Sequence, residues 1–98
     1  MSTVEVIEER LRAIMHAWPL PIDAGCQQHV IQSIHGAAIR LTSEGFASDP
    51  VKVLEAEVNF RRLLAEMTRQ AGILGFTELH EPTLFAALSK LCPIWPFC

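Results

Sequence analysis

The segment from Pro50 to Ala71 constrains this chain more than any other, because its apolar residues fall on two opposite sides of one helix. At about 100° per residue, Val53, Ala56, Phe60, Leu63, Leu64, Met67 and Ala71 make one stripe. Val51, Leu54, Val58 and Ala65 make a second stripe on roughly the opposite side, with Glu57 and Arg61 in one gap and Lys52, Asn59, Arg62, Glu66 and Gln70 in the other. A surface helix needs a single apolar face, so a helix with two requires cover on both. This one is therefore either the central helix of a bundle or a helix that meets another chain.

The same segment has clear ends. Asp49 can cap it, Pro50 at the first helical position has no amide to leave unsatisfied, and Gly72 reads as its stop. Ahead of it, Ser2 with Glu5 three residues later forms a capping box, and Val4, Ile7, Leu11, Ile14, Met15 and Trp18 follow on one face until Pro19 and Pro21 end the helix. A second helix runs from the Asp23 cap to about Ser43, before Gly45. Its apolar arc is Cys26, Val30, Ile31, Ile34, Ala37, Ala38 and Leu41, with Gln28, Gln32, His35, Gly36 and Ser43 opposite. Ile39 sits inside that polar arc beside Gly36, which leaves room for another backbone to approach. A short fourth helix is expected over 82–91 with Leu84, Phe85, Leu88 and Leu91 on one side, followed by the apolar tail Ile94-Trp95-Pro96-Phe97. Alternating runs are few, and Asn-Gly hairpins and internal repeats are absent, so strands have little support.

Composition narrows the class. With 98 residues, 50% of them apolar and 19% charged, the chain suits one globular domain over 1–98 rather than a disordered segment. No run is apolar enough to span a bilayer, and Glu5, Glu8 and Glu9 stand where a signal peptide would place positive charge, so a cytoplasmic location is expected. Three cysteines, Cys26, Cys92 and Cys98, are an odd number that fits free thiols better than a disulfide framework. Eight basic residues against eleven acidic ones give a net charge of −3, which disfavours nucleic acid as a partner. Arg61, Arg62 and Arg69 are the one local basic cluster, and Glu55, Glu57 and Glu66 interleave with it in a pattern that favours pairing within the helix.

The chemistry-bearing residues do not assemble into a known arrangement. His29 and His35 lie about 120° apart on their helix, no Glu-x-x-His step occurs, and His80 has only Glu78 and Glu81 beside it, so no metal site is assigned. Cys26 falls on an apolar helix face, and neither a nucleophile elbow nor a phosphate-binding glycine loop is present, so no catalytic residue and no cofactor are assigned.

Two short stretches resemble parts of known families without identifying one. Gln32-Ser-Ile-His35-Gly36-Ala37-Ala38 resembles the phosphate-accepting helix of histidine phosphotransfer domains, which are four-helix bundles, with Gln32 at the place of the phosphorylated His. That resemblance implies a phosphotransfer-like bundle that docks on a regulator without carrying phosphate. Arg61-Arg62-Leu63-Leu64-Ala65-Glu66 is similar to a piece of phage terminase small subunits, which implies a helical oligomer that recognises DNA.

The expectation is an all-α, compact bundle of three long helices plus a short fourth helix and an apolar C-terminal tail. Such a chain has few elements with which to cover two stripes of one helix, two further apolar arcs and a tail. The expected function is therefore non-enzymatic protein–protein interaction in a regulatory or adaptor role, as a homodimer or higher homo-oligomer, with a further protein partner as an option and no membrane contact. The residues expected to bind the partner are Leu54, Val58, Ala65, Ile39, Trp95 and Phe97.

Overall fold

A computed structural model describes residues 2–91. It consists of four α-helices, α1 (Thr3–His16), α2 (Ala24–Ser43), α3 (Pro50–Leu74) and α4 (Glu81–Leu91), with no strand among the described residues. The N-terminal cap residues are those the sequence predicts, although at α1 the Ser2 half of the expected capping box is the half that forms. The Glu5 amide donates to Ser2 Oγ (3.2 Å), the Gly25 amide to Asp23 Oδ2 (3.2 Å) and the Val51 amide to Asp49 Oδ1 (3.0 Å). Helix α1 stops two residues before Trp18, because the residue before Pro19 is pushed out of helical geometry.

Helices α2 and α3 end in the same way. Gly45 and Gly75 take left-handed φ angles of 79° and 77°, and the next residue's amide reaches back five positions, Phe46 to the Leu41 carbonyl (2.9 Å) and Phe76 to the Ala71 carbonyl (2.8 Å). The expected stop at Gly72 is thus displaced to Gly75, and Gly72 lies within the last turn of α3.

The helices run alternately up and down. Glu8 with His35 ties α1 to α2, Arg10 with Glu57 and Trp18 with Thr68 tie α1 to α3, His29 with Glu81 ties α2 to α4, and Lys90 with Glu66 ties α4 to α3. Helices α1 and α4 do not touch, so the order around the bundle is α1, α2, α4, α3. The core is built from Ile7, Leu11 and Met15 of α1, the α2 arc from Cys26 to Leu41, the first stripe of α3 from Ala56 to Ala71, and Leu84 and Ala87 of α4. At one end, the loops entering α2 and α4 are pinned together by a single parallel bridge between Ile22 and Leu79, with the Asp23 amide donating to the Leu79 carbonyl and the Leu79 amide to the Pro21 carbonyl, both at 2.9 Å. The dimensions are 40 × 26 × 18 Å, the longest set by the 25 residues of α3.

Two further expectations need correction. Phe85 does not join the core face of α4. It is 55% exposed, with its ring edge-on to His29, and Thr83 is buried in its stead because its hydroxyl donates to the His80 carbonyl (2.6 Å) and so enters the core with its bond satisfied. Glu57 is not a solvated gap residue. It is 9% exposed and accepts from Arg10 Nε at 2.8 Å.

Candidate functional site

The contacts of α3 show which of its sides is left open. Glu57 and Thr68, which meet α1, lie about 80 to 100° to one side of Val58, and Glu66, which meets α4, lies about 80° to the other. Between these flanks the second stripe faces outward from the bundle. Val51 is 63% exposed, Leu54 54% and Val58 46%, and Ala65, also exposed, continues the row. Val51, Leu54, Glu55, Val58 and Asn59 line a shallow groove along this face. Large exposed side chains at i, i+3 and i+7 on one helix are a patch, unlike apolar residues scattered singly over a surface.

Charge along this face departs from the expected pairing within the helix. Glu57 turns to Arg10, and Glu55 stands 3.5 Å from Lys52 Nζ. Glu66 binds Arg69 Nη2 at 2.6 Å and accepts from Gln70 as well, which holds its carboxyl down at about 2. Arg61 and Arg62 are exposed and make no ion pair among the described residues. The expected pairing therefore holds for Arg69 and fails for its two neighbours.

The other expected partner-binding residues are elsewhere or undescribed. Ile39 is 45% exposed, as its position in the polar arc predicts, but it points away from the core that α2 shares with α3 and so lies off the face of Leu54 and Val58. Gly36 has open space where a side chain would begin. Trp95 and Phe97 lie outside the described residues, as do Cys92 and Cys98.

A second depression, of about 600 Å³, runs between α1 and α3 and is lined by Arg10, Ala13, Ile14, Ala17, Trp18, Pro19, Glu57 and Arg61. Its polar groups already serve the fold, since Arg10 neutralises the buried Glu57 and the Trp18 indole donates to Thr68 Oγ1 at 3.0 Å. Arg61 alone stands at its rim without a described ion-pair partner. Sequence reasoning did not find this groove, because Arg10 and Glu57 are 47 positions apart.

The nucleophilic and metal-ligating residues are engaged in the fold. His29 and His35 pair with carboxylates of different helices, Glu81 at 3.1 Å and Glu8 at 2.6 Å. Asp23, Glu78 and His80 bring their ligand atoms within 4.8 Å of one another, yet Asp23 caps α2 and Glu78 lies 3.3 Å from His80. Cys26 is fully buried, and burial first, then the charges of Asp23 and Glu81, push its thiol up to about 11, opposite to what an activated nucleophile requires. In the stretch resembling phosphotransfer domains, Gln32 faces solvent and His35 is held by Glu8.

No known protein family, no curated protein and no solved structure matches this chain. No helix among the described residues is long and apolar enough to cross a membrane.

Proposed function

We propose that this protein acts without catalysis, in a regulatory or adaptor role, by docking the outer face of α3 against another copy of itself. The observation that carries this reading is the exposed row of Val51, Leu54, Val58 and Ala65, which no described residue covers between α1 and α4. Covering such a row removes apolar surface from water, at about 25 cal/mol per Å². A seam made by one helix face lies at the small end of stable interfaces, so the affinity expected is in the micromolar range, on the order of 10 to 100 µM. Weak pairing of that kind suits a regulator whose state follows its concentration.

Leu54→Glu and Val58→Glu test this. Both sites are exposed, so far-UV circular dichroism and melting stay close to those of the wild type, while the rise in light-scattering mass with concentration disappears. A wild-type mass that stays at 10.9 kDa up to several hundred micromolar, on the order of ten times the expected dissociation constant, defeats the proposal. So does unchanged association in both variants.

A further inference from the structure

We infer that the two copies pair through α3 in antiparallel orientation, about a two-fold axis at Val58, with each Glu55 against Arg62 of the partner subunit. This rests on the docking reading above and adds its geometry.

The face is built from two unlike halves. On the N-terminal side of Val58 it is large, apolar and acidic, with Val51, Leu54 and Glu55; on the C-terminal side it is small and basic, with Arg61, Arg62 and Ala65. Glu55 lies about 60° and Arg62 about 40° to the same side of Val58, one turn below it and one turn above. Leu54 and Arg61 lie about 40° and 60° to the other side.

A two-fold axis across a helix pair inverts positions along the helix but keeps each flank on its own side. With the axis at Val58, Glu55 is about 4.5 Å below it and the partner's Arg62 falls about 6 Å below, on the same flank. On the opposite flank, the aliphatic stem of the partner's Arg61 lies over Leu54, a use of long basic side chains that keeps the charge in water. Val51 meets the partner's Ala65, a large side chain against a small one. A parallel pairing in register exchanges the flanks instead: it sets Glu55 beside the partner's Leu54, where no opposite charge meets it, and Arg62 beside the partner's Arg61, where like charges select against it. The antiparallel arrangement thus supplies an opposite charge to Arg62 and apolar cover from Arg61, the two arginines that make no ion pair among the described residues of their own chain.

Charge exchange and cross-linking test the orientation. Glu55→Arg and Arg62→Glu each weaken self-association about tenfold by placing like charges together, and the double variant recovers to within about threefold of the wild type. Mixing the two single variants restores pairing, because each then supplies the charge that the other lacks. In a Cys92→Ser/Cys98→Ser background, Val58→Cys joins to itself with a bis-maleimide spanning less than about 10 Å. Val51→Cys does not, because the two copies of residue 51 stand about 21 Å apart along the seam. Equal cross-linking of both positions, or no recovery in the double variant and the mixture, overturns the antiparallel geometry while leaving the docking face in place. A wild-type chain that stays monomeric removes the docking reading itself.

Discussion

The two glycines near the end of α3 should respond to alanine in opposite directions. Gly72 is helical and exposed, with no atom within 4 Å of where a Cβ would stand. Gly72→Ala therefore gains the difference in helix propensity, about 0.5 to 1 kcal/mol, reduced toward the lower figure by its place in the last turn. Gly75 has the same open surroundings but sits at φ 77°, where an L-residue sets Cβ against the following carbonyl oxygen at about 1 to 2 kcal/mol. The smaller entropy of the unfolded alanine chain returns part of that cost, leaving Gly75→Ala about 1 kcal/mol less stable. For a domain of this size 1 kcal/mol is about 4 to 8 °C in Tm. Thermal and urea melts at low micromolar concentration, where association contributes least, should place Gly72→Ala about 2 to 6 °C above the wild type and Gly75→Ala about 4 to 8 °C below, with m-values unchanged. A destabilised Gly72→Ala or a neutral Gly75→Ala would refute the assignment of the helix end.

Further substitutions probe the core and its polar ties. Phe60→Ala empties a fully buried site and should cost about 3 to 5 kcal/mol in urea unfolding. Arg10→Ala strips the nearly buried Glu57 of its partner, and should destabilise more than the pair Arg10→Ala/Glu57→Leu, which removes the stranded charge as well; equal losses would show that Glu57 reaches water once unpaired. In a Cys92→Ser/Cys98→Ser background, Cys26 should resist a thiol reagent at pH 8 until the protein unfolds, and modification within seconds of mixing would contradict its burial. Because the folded thiol titrates near 11 against 9.0 when unfolded, the stability linked to Cys26 is intact below pH 9 and falls as pH rises toward 11; Cys26→Ala should remove that portion of the alkaline loss.

What the sequence made legible, and what it hid, divides along local and distant physics. Ser2, Asp23 and Asp49 act on amides two or three residues away, and the three-four spacing of the α1, α2 and α3 stripes is set within each helix, so all of these can be read without the fold. The stop at Gly75 was local too, but its signal is the apolar pair five apart, Ala71 with Phe76, which repeats Leu41 with Phe46 around Gly45. Glycine content alone points to Gly72 as the end. Glu57 was hidden for a different reason: Arg61 is its natural neighbour on the helix, and only the packing of α1 brings in Arg10. The rotation of α4 depends on a buried hydroxyl whose partner is the His80 carbonyl, which an apolar periodicity overlooks, so that periodicity places Phe85 on the wrong side. The outer stripe of α3 was visible as a pattern, whereas its exposure depends on α1 and α4 lying against the two gaps and leaving the side between them open.

The docking claim is met most directly by recording amide chemical shifts of the wild-type chain on dilution from about 1 mM to 10 µM, a range that brackets the expected dissociation constant. Shifts that move together from residue 51 to residue 65 of α3, with those around Ile39 and Phe85 unchanged, are the predicted result. Shifts that stay constant throughout, or that move around Ile39 or Phe85 and leave α3 still, would contradict it.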